Sequence, residues 1–293
     1  MENMIEVRNM GKHFPNFALK NISFDVKKGF ITGIIGPNGA GKSTMIRCMM
    51  DLIRADSGEI TIFGRNHRQS TVAIKGRIGF VHDESYFYEH LSIEQHKRII
   101  APFYENWSDE LFYDYIHKFH LPLHAEVKRL SKGMKIKFSL AIAFSHNPEL
   151  LILDEPTSGL DPVFRRELLE LLQDFIQDEN KAVFFSTHIT TDLEKVADYI
   201  TFIHNGEIVF SKEKDALLDQ YAVVKGPKEL LTAKTRSLLT GVKETDVGFA
   251  GLCLDCGSFP NLWKQQVAIE RATLEDIIFY TVKEDEHANQ SLA

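Results

Sequence analysis

Apolar positions along the chain recur with two periods, and the switches between them mark its elements. Glu2–Asn9 alternates weakly, and Leu19–Val26 alternates with Leu19, Ile22, Phe24 and Val26 apolar, so the two predict a small antiparallel layer that closes on the turn Lys27-Lys28-Gly29. The apolar run Phe30–Ile35 predicts a strand, followed by a helix from Lys42 to about Ile53, a turn at Ala55–Gly58 and strands at Gly58–Phe63 and Arg77–Val81. From Glu89 to about His146 the pattern turns helical: Ser92 and Gln95 form a capping box, Ser108 opens a second helix with Asp109 and Glu110 in its first turn, and Ser131 caps a third. Leu150–Leu153 and Lys181–Ser186 read as buried strands, separated by an amphipathic helix that Asp161 caps, Pro162 starts and about Glu179 ends. Thr191 and Glu194 are placed to cap a further helix, and Tyr199–His204, Asn205-Gly206 and Glu207–Phe210 predict a hairpin with a type I′ turn. Beyond Tyr221 the pattern predicts strands at Tyr221–Val224, Val247–Leu254 and Gln266–Ile269 and helices at Glu229–Leu239 and Leu274–Val282, with a polar end from Glu284 that frays.

Chemistry enters between the first buried strand and the helix that follows it. Residues 36–44 read Gly36-Pro37-Asn38-Gly39-Ala40-Gly41-Lys42-Ser43-Thr44, two glycines four positions apart followed by Lys and Ser in a strand–loop–helix setting. Glycines there let successive amides turn inward around phosphate oxygens, and the helix adds its positive N-terminal end. The pattern assigns Lys42 to the β- and γ-phosphates of a nucleoside triphosphate and the Ser43 hydroxyl to Mg²⁺. Asp154-Glu155 ends the strand Leu150–Leu153, where ligands bind in open α/β sheets. Asp154 is thereby a second Mg²⁺ partner, and Glu155 is a base for an attacking water. His188 ends the next strand, so three strand ends converge on Lys42, Asp154 and His188. Ser131 and the Gly133 amide form a second anion-binding helix end. Phe14, ahead of the loop, is a candidate to stack on a base, or a core residue. The fold class expected is α/β: a P-loop NTPase with a mixed sheet core, an antiparallel β layer, a helical insertion and a small C-terminal α/β extension.

Charge and composition narrow the partners. In 293 residues, 34 basic against 41 acidic side chains give a net charge of −7, which disfavours duplex nucleic acid bound through a broad basic face. The apolar runs fall far short of the roughly 20 residues of a membrane-spanning helix, and the first residues lack a secretory apolar core. A cytoplasmic chain attached to the membrane through a partner is therefore expected. The three cysteines, Cys48, Cys253 and Cys256, are too few for a disulfide framework, and no second pair completes the spacing Cys253-Leu-Asp-Cys256 as a zinc site. The histidines at 82, 90, 96, 117, 120 and 124 show no tight metal spacing.

The order of these features resembles the ATP-binding subunit of ABC transporters over roughly residues 1–220. Leu130-Ser131-Lys132-Gly133-Met134 begins a helix, with Ser131 lying 154 − 131 = 23 residues before Asp154; the turn from Asp154 to Asp161 reads DEPTSGLD, and His188 follows Glu155 by 188 − 155 = 33 residues. The resemblance implies an ATPase domain over 1–220, with a helical subdomain at about 85–148, and an extension over 221–293. It also implies two such subunits, identical or paralogous, docked head to tail around ATP and Mg²⁺. Each site would then take residues 36–44, Asp154, Glu155 as general base and His188 as γ-phosphate sensor from one subunit. The other would supply Ser131, Lys132, Gly133 and Met134, with Asp161 as a contact across the dimer. A separate membrane permease would carry the cargo, and Tyr86-Phe87-Tyr88 would either receive its cytoplasmic helix or join the insertion core.

Two positions depart from the family pattern. His82-Asp83-Glu84 stands where a glutamine is usual, so the Mg²⁺ and water contact passes to Asp83, whose charge also repels a γ-phosphate. Lys132 replaces a glycine and either approaches the partner's nucleotide or faces solvent. The wording around DEPTSGLDP and IGFVHDE and the extension are similar to bacterial exporters of peptides or antibiotics, including the Ytr type and those expelling staphylococcal phenol-soluble modulins. The alternatives are a weakly hydrolysing half of a heterodimer, or an ABC ATPase without a transport role.

Overall fold

The computed structural model describes residues 2–83, 86–254, 256 and 266–290, so Glu84 and the last three residues of the polar end lie outside it. The chain forms two compact units, one running to Ser211 and one from Lys212. The expected division at residue 220 coincides with the end of a short helix in the second unit.

The first unit layers two sheets. β1 (Asn3–Phe14) and β2 (Phe17–Lys27) form the predicted antiparallel pair, but β1 runs on to Phe14 and turns directly into β2. β3 (Ile31–Ile35) is buried at every position and leads through the glycine-rich loop into α1 (Lys42–Met49). β4 (Ser57–Ile62) and β5 (Arg65–Asn66) complete a sheet ordered β2-β1-β4-β5. A short helix α2 (Thr71–Lys75), too brief to leave a periodic signal, precedes β6 (Ile78–Val81). The insertion then supplies α3 (Ile93–Ile100), α4 (Asp109–Lys118) and α5 (Lys132–Ser145).

All the insertion caps read from the sequence are made. Ser92 accepts from the Gln95 amide while the Gln95 side chain accepts from the Ser92 amide; Ser108 accepts from Leu111 N–H, and Ser131 from Met134 N–H. β7 (Leu150–Asp154), α6 (Pro162–Phe175), β8 (Ala182–Thr187), α7 (Thr190–Val196), β9 (Tyr199–His204) and β10 (Glu207–Glu213) finish the main sheet, ordered β10-β9-β3-β8-β7-β6. β3, β7 and β8 are buried throughout, as strands covered on both faces of a parallel sheet must be. Phe24 of β2 stacks on Phe184 of β8 at 5.5 Å, so the core lies between the two sheets. Asn205 and Gly206 both take positive φ, 48° and 77°, as the predicted hairpin turn requires.

One expected cap is absent: α7 begins at Thr190 after Ile189, with no side-chain cap. The Thr191 hydroxyl instead accepts from Arg165 of α6, because that guanidinium is anchored by the buried Asp192 beside it at 2.7 Å.

The second unit holds α8 (Lys214–Gln220), β11 (Tyr221–Gly226), α9 (Ala233–Arg236), β12 (Thr240–Glu244), β13 (Phe249–Leu254), β14 (Ala268–Arg271) and α10 (Leu274–Gln290), with the sheet ordered β12-β13-β11-β14. The helix expected over Glu229–Leu239 is broken: a 3₁₀ turn over Lys228–Leu230 follows Pro227, and Thr232 then caps the separate α9 in a reciprocal box with Thr235. The helix expected to end at Val282 continues to Gln290, and its Glu284 carboxylate accepts from the Gly241 amide at 2.6 Å, so fraying does not begin at Glu284. Cys253 is buried in this unit's own core with Val224, Val242 and Phe249.

His96 of α3 is a buried, neutral group by construction. Its Nδ1 donates to the Ser92 carbonyl at 2.9 Å, and its Nε2 accepts from the Tyr88 amide at 3.0 Å. Burial, the largest influence, pulls its pKa below the ordinary 6.5. The unfolded chain therefore binds a proton at this position more readily than the folded one, and stability falls as pH drops below 6.5. His96→Gln is expected to flatten that fall by up to about 1.4 kcal/mol per pH unit, measured by urea unfolding between pH 7 and 5. An unchanged slope would show that His96 titrates alike in both states.

Candidate functional site

The loop between β3 and α1 borders a depression of about 770 Å³, lined by Pro37–Thr44 together with Asn16, Phe17, Asp83, Lys132, Glu155, Ser158 and His188. Two glycines make the loop possible. A Cβ on Gly36 would stand 2.2 Å from the Ile203 carbonyl oxygen, and Gly41 holds φ at 110° where a Cβ would strike Leu19 and Phe17. The loop thus keeps its amides close to whatever fills the depression.

The charged side chains converge as the strand ends predicted. Lys42 is only 6% exposed; its Nζ donates to the Gly36 and Pro37 carbonyls at 2.7 and 3.4 Å and stands 3.3 Å from Glu155 Oε1. Glu155 Oε2 accepts from His188 Nδ1 at 2.7 Å, so one carboxylate is held between a lysine and an imidazole. Glu155 reaches this position through a left-handed backbone, φ 51°, just past β7. That conformation costs a non-glycine residue on the order of 1–2 kcal/mol and is retained where surrounding contacts fix it. Here the Glu155 amide donates to Ser186 Oγ at 2.9 Å, which in turn donates to Asp154 Oδ1 at 2.7 Å.

Asp154 is the group that asks for a cation. It is 1% exposed; Oδ1 accepts from Ser43 and Ser186, while Oδ2 is buried with no hydrogen-bond partner among the described residues. An ionised carboxylate oxygen left bare in the interior is costly, and a divalent ion beside it would remove the cost. Hard oxygen donors from a carboxylate and the Ser43 hydroxyl 3.0 Å away suit Mg²⁺. Asp83 lines the same depression.

Not every candidate gathers here. Phe14 lies outside the depression, 43% exposed at the end of β1 with Lys12 Nζ 5.4 Å from its ring centre. Its hairpin partner Phe17 faces the loop instead. Asn16, Phe17, Ser158 and Ser186 were not picked out from the sequence; the strand-pair register that turns Phe17 inward is a tertiary fact. Ser131 and Asp161 are exposed and, with Gly133 and Met134, do not line the depression. Asp161 caps α6, accepting from the amides of Val163 and Phe164. Lys132 is 60% exposed yet belongs to this depression, its Nζ 4.0 Å from Asp83 Oδ1.

A second hollow, an apolar cleft of about 750 Å³, lies between α1, β6 and the insertion, lined among others by Arg47, Phe80, His82, Tyr86, Tyr88, Ile99 and Phe103. The aromatic triplet is divided by burial: Phe87 packs on Phe138 at 4.5 Å, whereas Tyr86 and Tyr88 stay exposed. His82 accepts from Arg47 of α1 at 3.3 Å and lines this cleft, while its neighbour Asp83 lines the depression. Adjacent residues of one segment therefore serve both hollows.

The family model described as ABC transporter matches residues 19–158. The lantibiotic transport ATP-binding protein SrtF of Streptococcus pyogenes is 34% identical over 215 residues, 72% of this chain and 92% of that protein. The chain belongs to the ABC transporter ATP-binding proteins. The bacitracin transport ATP-binding protein BcrA of Bacillus licheniformis is 34% identical over 218 residues, 71% of this chain and 69% of that one. A solved structure titled as the ATP-binding subunit of an ABC transporter superposes with a TM-score of 0.68 at 28% identity, covering 74% of this chain and 92% of that one. Among the described residues no helix is long and apolar enough to cross a membrane.

Proposed function

We propose that this chain is the ATP-hydrolysing subunit of a bacterial exporter of peptide or antibiotic-like cargo, acting with a separate permease and a second, identical or paralogous, ATPase subunit docked head to tail. The observation that carries the hydrolytic part is the Lys42–Glu155–His188 cluster beside the bare oxygen of Asp154. Residues 36–44 hold the phosphates through loop amides and Lys42. Ser43 and Asp154 hold Mg²⁺, with Asp83 as a further oxygen donor. The ion supplies neutralisation of phosphate charge. Glu155 takes the proton of the attacking water, and His188 orients Glu155 from its far oxygen while reaching toward the terminal phosphate.

Ser131, exposed, and the half-buried Gly133 and Met134, all away from this chain's own depression, suit contact with the nucleotide of a facing subunit, and exposed Asp161 suits the seam between the two. ATP then bridges two anion sites, and its cleavage removes the bridge. The apolar cleft beside Tyr86 and Tyr88 is the surface suited to a cytoplasmic helix of the permease. The resulting location is the cytoplasmic face of the membrane, by attachment to that permease. Export of peptide-like cargo is supported by the names of SrtF and BcrA, a lantibiotic and a bacitracin transport protein respectively.

The test is bacterial sensitivity to bacitracin and to a lantibiotic with the chain and its permease co-expressed. Resistance to one of them is expected with the unsubstituted chain and is lost with Glu155→Gln. Equal sensitivity with and without the pair would contradict the export reading.

A further inference from the structure

We propose that Lys132 is a counter-charge for Asp83 acting within its own subunit, so that a lysine in the turn offered to the partner's nucleotide also tunes the terminal-phosphate end of its own site. The proposal rests on reading the depression as the ATP site. Two charged side chains stand where the family pattern has uncharged ones, and the structure brings them together: Lys132 Nζ lies 4.0 Å from Asp83 Oδ1, and both line the depression with Glu155. The lysine stem is guided there, since its Cδ passes 3.5 Å from the position of a Cβ on Gly159, in the turn after Glu155.

Charge balance gives the pair a purpose. Lys42 already stands against Glu155 at 3.3 Å, and among the described residues the ion pair to Asp83 comes from Lys132. An uncompensated Asp83 would repel the terminal phosphate of ATP. The pair has little other use, because exposed ion pairs contribute almost nothing to folding stability; here the side chains are 60% and 41% exposed. Once a nucleotide fills the depression and excludes water, the same two charges act through a lower dielectric and weigh far more. Ser131 and Gly133 do not line the depression while the residue between them does, so a single turn serves two sites.

The test is equilibrium binding of ATP and ADP to the full chain in magnesium-free buffer with EDTA, which leaves phosphate charge unneutralised and prevents turnover. Lys132→Gly is expected to weaken ATP binding about tenfold and ADP binding less than about twofold, because the loss falls at the terminal phosphate. Adding Asp83→Gln is expected to bring ATP affinity back to within about threefold of the unsubstituted chain, the non-additivity of two residues that act on each other. Lys132→Arg, which keeps the charge, should bind ATP as the unsubstituted chain does. Equal losses for ATP and ADP, the same Lys132→Gly loss with and without Asp83→Gln, or no loss at all would overturn the proposal. If the unsubstituted chain bound neither nucleotide, the ATP-site reading would fall with it.

Discussion

Replacing Glu155 with glutamine is expected to slow ATP hydrolysis by about 10²–10⁴-fold while ATP still binds. The substitution keeps the shape and an oxygen that can accept from Lys42, now 3.3 Å away, so the loop proposed to hold the phosphates is undisturbed. What disappears is the basic oxygen held by His188 at 2.7 Å and the ability to take a proton from water. The measurement is steady-state phosphate release alongside ATP affinity; a rate equal to that of the unsubstituted chain would remove Glu155 from its role.

Lys42→Ala acts one step earlier and is expected to abolish measurable nucleotide binding. The ammonium is 6% exposed and drawn to two loop carbonyls and the Glu155 carboxylate, so the loop has been built around a charge. Deleting the ammonium that would meet a bound phosphate oxygen costs that charge-assisted contact, about 2–5 kcal/mol or roughly 30- to several thousand-fold in affinity. Calorimetric titration with ATP checks this, and binding within a factor of two of the unsubstituted chain would mean that the loop amides alone hold the phosphates.

The parts of this site legible in the sequence are those encoded by contiguous residues or by strand ends. The loop from Gly36 to Thr44 carries its geometry in its glycines, and Asp154, Glu155 and His188 follow from the rule that ligands gather at the carboxyl ends of parallel strands. Caps at Ser92, Ser108, Ser131 and Asp161 were equally local. What escaped depends on neighbours distant in the chain. Whether Phe14 or Phe17 faces the loop is decided by how β1 turns into β2. Whether Lys132 meets solvent, a partner or its own site is decided by the turn at Gly159 and by Asp83. Apolar spacing over Glu229–Leu239 mimicked one helix because Leu230, Leu231 and Leu239 all pack into the second unit's core, although Thr232 restarts the backbone. Thr191 had the composition of a cap but was claimed by Arg165.

The central claim is that each ATP is gripped by two subunits, and the most direct measurement is the hydrolysis rate per chain as the concentration of ATPase subunits is varied. The account predicts a rate that rises with concentration toward a plateau and is lost on Ser131→Arg, even though Ser131 lines no part of the chain's own depression. A rate per chain that stays constant down to the lowest concentration and ignores Ser131→Arg would contradict it.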